Sequence, residues 1–315
     1  MMTAAMDIDV LISEVGPRDG LQSVAATMPT ALKREWISAL AATGLKEIEV
    51  GSFVPPKLLP QMADVAEVVA HALAIPGLFV TALTPNLRGA EAAFAAGVHK
   101  ITLPVSVSEA HSLANVRKSH VQMIEEVQAV VNLRNARYPG VQIEAGLSTA
   151  FGCSLQGVVP EDDVIRLARV MAECGVDEVG LSDTAGMANP RQIRSLFPRL
   201  RSEIGADKTG SAHLHNTYGQ GLANVVAALD VDVTTFDASQ GGIGGCPYAP
   251  GATGNIVTED LVFLLESMGL RTGVDLERLM AAREILKKGL PNEPLYGYLP
   301  EAGLPKGFCY AGRKA

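Results

Sequence analysis

Val10-Leu11-Ile12-Ser13-Glu14-Val15 runs into Gly16-Pro17, and beyond it Thr30 to Thr43 carries Leu32, Trp36, Ile37 and Leu40 at helical spacing before Gly44. A β-rich run punctuated by glycine and proline, followed by an amphipathic helix, is one strand-helix unit. The same unit recurs: Glu47 to Val50 with Pro60 to Leu73, Leu78 to Leu83 with Leu87 to Ala96, and His99 to Val105 with a long helix inside Ser119 to Arg137. It continues as Val141 to Leu147 with Glu161 to Cys174, Glu178 to Ser182 with Pro190 to Ile204, Ser211 to His215 with Tyr218 to Leu229, and Thr234 to Ala238 with Thr258 to Met268. Eight alternations of this kind predict an α/β fold, a closed (β/α)8 TIM barrel. The units share no sequence motif, so the period is architectural. Beyond them, about Asp275 to Lys288 predicts a further helix, followed by a Gly/Pro-rich tail that packs on the barrel or on a partner. The chain reads as a single catalytic domain over 1–315, with the barrel at about 8–270 and a helical extension at about 271–315.

Composition agrees with that fold class. Hydrophobic residues make up 48% and aromatics only 5%, a balance of Ala, Val, Leu and Ile suited to parallel strands buried on both faces. The net charge is −8 and the basic residues are scattered, which argues against a nucleic-acid partner. Met1 to Asp9 lacks the cationic start and apolar run of a signal peptide, and no apolar segment approaches the ~18 residues of a membrane span. These features predict a soluble cytoplasmic protein with no membrane partner. Cys153, Cys174, Cys246 and Cys309 are widely spaced without CxxC pairing, so neither a disulfide scaffold nor a structural zinc site is expected.

In such a barrel, function collects where strands end and the following loops begin. Those positions hold Arg18 and Asp19 after the first strand, Glu49 and Ser52 on the second, and Asp183-Thr184 after the sixth. The seventh gives His213 and His215, and the eighth the loop Gly241-Gly242-Ile243-Gly244-Gly245-Cys246-Pro247-Tyr248, which runs on to Asn255. Two imidazoles two residues apart on a strand face one way and form the half of a chelate. The plainer reading buries one histidine and leaves the other in solvent, but it must then explain each polar strand end separately. Asp19 supplies the oxygen ligand that a two-histidine Mg2+ or Mn2+ site wants, and Asn255 offers a neutral amide oxygen.

The neighbours divide by chemistry. Arg18 is either the salt-bridge partner of Asp19 or a fixed guanidinium for an enolate or carboxylate oxygen. Glu49 lies in an apolar run and is costly to bury alone, which favours an inward role near the cation over an outward pairing with a helix. Cys246 follows a stretch in which four of five residues are glycine, and Pro247 comes next. That context suits a moving lid that carries an acid or nucleophile better than inert packing. Cys174, at a helix end before Gly175, reads as structural, and His71, His99, His111 and His120 receive no assignment.

Three motifs resemble the 3-hydroxy-3-methylglutaryl-CoA (HMG-CoA) lyase family. They are Glu14-Val15-Gly16-Pro17-Arg18-Asp19-Gly20-Leu21-Gln22, His213-x-His215 followed by Thr217-Tyr218-Gly219-Gln220, and Gly244-Gly245-Cys246-Pro247-Tyr248-Ala249-x-Gly251-Ala252-x-Gly254-Asn255. Ser52-Phe53-Val54, Pro60-Gln61-Met62 and Leu83-Thr84-Pro85-Asn86-Leu87 extend the likeness over about residues 8–290. The resemblance implies a metal-dependent TIM-barrel lyase related to isopropylmalate synthase, acting on an acyl-CoA substrate by retro-Claisen cleavage to acetyl-CoA and acetoacetate. It implies that Asp19, His213, His215 and Asn255 bind Mg2+ or Mn2+, that Arg18 stabilises the enolate, and that Cys246 stands on a mobile loop over the substrate. Asp19 or His213 would be the base. Glu49 falls on a further catalytic position, and Gln22, Ser52 and Asp183 fall beside the substrate. The expected assembly is a homo-oligomer, dimer or tetramer.

Some residues depart from the family pattern. Ser23-Val24 stands where Asn-Glu is common, Asn216 where many members have Asp, and Gly180 and Ser182 replace a Ser and a Gly. These positions border the substrate, so a lyase for another tertiary 3-hydroxyacyl-CoA stays open as the alternative. A condensing synthase usually carries a regulatory domain for which Leu270 to Ala315 is short, and a non-catalytic binding barrel would gain nothing from a charge cluster at its strand ends.

Overall fold

A computed structural model describes residues 8–245 and 254–312. Eight parallel strands pair in sequence order and close into a barrel: β1 (Leu11–Glu14), β2 (Glu47–Ser52), β3 (Phe79–Leu83), β4 (Lys100–Ser106), β5 (Gln142–Ser148), β6 (Glu178–Ser182), β7 (Thr209–His213) and β8 (Thr235–Ala238). The closing pair sets Leu11 beside Thr235 and Glu14 beside Ala238. The helices between them are α1 (Thr30–Ala42), α2 (Val65–Leu73), α3 (Leu87–Ala96), α4 (His120–Arg137), α5 (Glu161–Cys174), α6 (Pro190–Ile204) and α7 (Gly221–Leu229), with α8 (Thr258–Ser267) after β8 and α9 (Leu276–Gly289) beyond. Helix starts are written in the sequence. Ser119 with Gln122 and Asn189 with Gln192 form reciprocal capping boxes, and Pro190 occupies the first turn of α6, where its missing N–H costs nothing.

The expected strand-helix units are all present, with differences at their edges. β7 begins at Thr209, two residues before the expected Ser211, and a Cβ at Gly210 would lie 3.2 Å from Glu144 Oε1, so this glycine makes room inside the barrel. His215 lies beyond β7, in an isolated bridge with Asn255, so the two histidines are not on one strand. The run from Pro60 begins as a 3-10 turn, Pro60–Met62, and becomes α-helical only at Val65. A short helix, Glu109–Asn115, intervenes before α4.

The two faces of the strands differ. Ile12, Ile48, Val80, Ile101, Leu103, Ile143, Val179, Ala212 and Phe236 are buried hydrophobics of the continuous core. The positions alternating with them hold charged, hydroxylated or small residues, so the strands are largely buried on both faces, as composition suggested, but are apolar on only one. Low in the barrel Lys100 Nζ lies 2.8 Å from Glu47 and 3.4 Å from Glu144, Ser13 donates to Glu47, and Ser211 donates to Glu144. Burial works against the Lys100 charge, but Glu144 and Glu47 outweigh it and raise its pKa.

The extension completes the outer layer. Trp36 of α1 is fully buried, and its indole N–H donates to Gln240 at 2.6 Å. Gln240 in turn donates to the Leu279 carbonyl of α9. Buried Glu259 and Arg283 pair at 2.8 Å and join α8 to α9. No helix among the described residues is long and apolar enough to cross a membrane.

Candidate active site

At the C-terminal ends of the strands, Asp19, His213 and His215 each present a ligand atom, all within 4.8 Å of one another. Each arrives by a different route. Asp19 sits in a π-helical turn, Gly16–Gly20, that leaves β1 directly. His213 is the last residue of β7, and its Nδ1 lies 3.0 Å from Asp237 of β8. With that nitrogen occupied, Nε2 faces Nε2 of His215 at 3.1 Å. His215 Nδ1 is buried without a hydrogen-bond partner among the described residues. Asn255 comes from the far side of the glycine loop; its amide nitrogen donates to Asp19 at 2.6 Å and to the Ile243 carbonyl at 3.2 Å, while its Oδ1 is buried without a partner among the described residues.

Arg18 stands beside this group. Its Nε donates to Glu49 Oε2 and its Nη1 to Asp19 at 2.6 Å, so the expected salt bridge to Asp19 exists beside a second pairing with Glu49. The guanidinium is thereby fixed between two carboxylates. Gly244 has φ of 110°, and a Cβ there would come within 2.5 Å of Asn255 Nδ2 and 2.8 Å of Asp19 Oδ2. Only glycine lets the loop pass this close.

The electrostatics follow from the packing. Burial disfavours the Asp19 charge, but Arg18 and the two histidines outweigh it and hold the carboxyl below its usual range. Burial also opposes protonation of His213, and the hydrogen bond and charge of Asp237, aided by Asp19, overcome it and raise its pKa. His215 is pushed down to about 3 by burial and by His213. Burial raises Glu49 despite Arg18, with Asp237 and Asp19 adding to the rise.

The donor set fits a hard or borderline divalent cation: a carboxylate, two imidazole nitrogens and an amide oxygen. Two facing imidazole nitrogens and an orphaned amide oxygen are the marks of groups arranged for an ion. A cavity of about 650 Å³ opens from Asp19, His213 and His215 and carries Arg18, Gln22 and Asp237 on its wall. Asp183 and Ser52 are buried and do not line it, whereas Ser182 and Thr184 do. Burial pushes Asp183 up to about 7, while hydrogen bonds from the Ala188 and Met187 amides pull it down. Cys246 lies outside the described residues, as does Tyr248.

Three features had no place in the reading of the sequence. Asp237 orients His213, yet it is one acid in an ordinary strand. His111 lines the cavity from the short helix after β4. Glu14, fully buried, accepts from the Gly16 and Gln240 amides and from Thr258 Oγ1, which ties the turn of Asp19 to the start of the glycine loop and to α8. A carboxyl at the end of an apolar strand was the signal that could have found it.

Comparison with known proteins closes on the same chemistry. Residues 9–286 match the family model described as HMGL-like. A hydroxymethylglutaryl-CoA lyase of Bacillus subtilis is 41% identical over 290 residues, covering 91% of this chain and 96% of the relative. The 3-hydroxy-3-isohexenylglutaryl-CoA/hydroxy-methylglutaryl-CoA lyase of Pseudomonas aeruginosa is 41% identical over 273 residues, covering 87% and 90%. An HMG-CoA lyase of Acinetobacter baumannii, solved in complex with coenzyme A and 3-methylmalate, superposes with a TM-score of 0.89 at 37% identity, covering 97% of this chain and 98% of that one.

Proposed function

This chain belongs to the HMGL-like family, and from that premise we propose that it is a hydroxymethylglutaryl-CoA lyase, a carbon-carbon lyase that cleaves HMG-CoA to acetyl-CoA and acetoacetate. The observation that carries this is the convergence of Asp19, His213 and His215, with Asn255 and Arg18, in a chain 41% identical to a lyase of that name over nearly its whole length. Asp19, His213, His215 and Asn255 would hold Mg2+ or Mn2+, which would supply Lewis acidity to the substrate.

The chain's own groups supply the rest. Asp19 or His213 takes the proton from the 3-hydroxyl. The C2–C3 bond then breaks, C3 becomes a ketone, and the electron pair moves into the thioester enolate. Arg18, locked against Glu49, faces the enolate oxygen with a charge that needs no reorganisation as it develops. Cys246, or a water it controls, returns a proton to C2 and completes acetyl-CoA. Gln22 contacts substrate at the cavity wall, and Ser52 and Asp183 support it from behind that wall. The barrel and its extension act as one catalytic domain, since α9 shares the continuous core. A cytoplasmic location and a homo-oligomeric state complete the proposal.

Incubating the purified protein with HMG-CoA and Mg2+ or Mn2+ should release acetyl-CoA and acetoacetate in equal amounts, with loss of both on chelation. Metal-loaded protein that gives neither product would overturn the activity.

A further inference from the structure

TIM barrels fill their interior with layers of bulky branched side chains. Here the inner layer beneath the histidines is left open on one side. Thr102 and Pro104 of β4, Gly146 and Ser148 of β5 and Ser182 of β6 point into the barrel, line the active-site cavity, and retain accessible surface. Their outward neighbours Leu103, Ala145, Leu147 and Leu181 are fully buried. The opening centres on Gly146, where an added Cβ would meet only Thr102 Cγ2 at 3.3 Å and Leu103 O at 4.0 Å. At Gly180, by contrast, the space is already taken, because a Cβ there would fall 2.3 Å from Glu144 Oε1. The floor of the opening is Glu144 with Ser211, hydrogen-bonded at 2.8 Å.

An unfilled layer loses dispersion contacts along its whole lining. A substrate that fills it recovers them. The walls also carry the Thr102, Ser148 and Ser182 hydroxyls, none of which bonds to another group among the described residues. A small apolar substituent leaves those hydroxyls unanswered. An anionic one meets Glu144 at the floor, where Lys100 is already held by two carboxyl groups; Arg117 and Lys118 also line the cavity, but they stand on the loop after the Glu109–Asn115 helix and not on the floor, and Lys118 pairs with Glu126.

We propose that this open layer is a selectivity pocket for the acyl group, and that the preferred substrate is a 3-hydroxyacyl-CoA whose 3-substituent is longer than methyl, uncharged and hydroxylated. The inference rests on the lyase reading and names its substrate class. The bond broken is the same, and the second product becomes the 3-keto acid that carries the longer substituent.

The test compares kcat/KM for HMG-CoA with that for its analogues bearing 3-hydroxypropyl, propyl and 2-carboxyethyl in place of the 3-methyl group. Each buried methylene discriminates by roughly 10–200-fold, and a site built to hydrogen-bond a hydroxyl discriminates further against its absence. The 3-hydroxypropyl analogue should therefore exceed HMG-CoA by at least about tenfold, with propyl below it and carboxyethyl lowest of the long analogues. Gly146→Val should cut the hydroxypropyl-to-methyl ratio by about tenfold or more, and Gly146→Ala by less, both read in protein whose melting temperature shows that it folds. HMG-CoA preferred over every longer analogue, or a ratio unmoved by Gly146→Val, would overturn the pocket and leave the lyase standing. Cleavage of none of the four would overturn the lyase reading and the pocket together.

Discussion

Two arcs of the same barrel are built on opposite rules. On the arc of β1, β2, β7 and β8, the inward side chains hold one another: Arg18 with Glu49 and Asp19, Asp19 with Asn255, and His213 with Asp237. On the arc of β4 to β6, at the same cavity, the inward residues are small and leave space. Chemistry needs groups fixed to a fraction of an ångström, which a closed network of charge-assisted bonds provides. Choice of substrate needs room and a few polar contacts, which are changed one residue at a time. The barrel therefore keeps its reaction on one side and its selectivity on the other.

Breaking the first arc should give the largest effects. Asp19→Ala removes a proposed ligand and leaves Arg18 hydrogen-bonded only to Glu49. Turnover should fall by more than about a hundredfold, the upper end of what losing even an outer partner of a metal ligand costs. Manganese binding, followed by electron paramagnetic resonance, should weaken in parallel; an Asp19→Ala protein with full activity would dissolve the site. Asp237→Asn tests the outer layer of that arc. It keeps the shape but removes the charge that orients His213, so metal affinity or activity should drop by about 10–100-fold while the fold persists. An unchanged metal affinity and rate would mean that Asp237 merely packs beside the ring.

The two arcs were unequally legible. The barrel could be read because each strand-helix unit carries its own signals, a β-rich run and the apolar spacing of the helix that follows. Asp19, His213, His215 and Asn255 could be read because metal-capable residues at strand ends are chemically conspicuous. The link between Asp237 and His213 could not, since adjacency of β7 and β8 follows only from closure, and nothing in the sequence marks which acid points inward. The open layer was hidden for a different reason. Gly146, Ser148 and Ser182 are ordinary residues, and their meaning lies in what is missing around them. Gly210 is opaque for the same cause: glycine signals a turn far more often than it signals, as here, the approach of a neighbour's side chain.

The smallest effect should appear beneath the second arc. Glu178 begins β6 beside Glu144, and burial, then Glu144, push it up to about 7 against the pull of Lys100. Its unfolded value is near 4.5. Between those two pH values the folded chain binds a proton that the unfolded chain has released, so this group's contribution is fully present below about 4.5 and is lost as pH rises through about 7. Glu14, pushed up to about 8 by burial, acts with the same sign over a wider window. Glu178→Gln removes one of these two terms. Urea unfolding of the variant should show a shallower decline in stability between pH 5 and 7 than the parent, with the remaining slope owed partly to Glu14 and with little change at pH 4. A steeper decline would mean that Glu178 is ionised in the folded protein and helps hold Lys100. The floor of the pocket would then be a four-membered ion network and not a triad with a protonated neighbour.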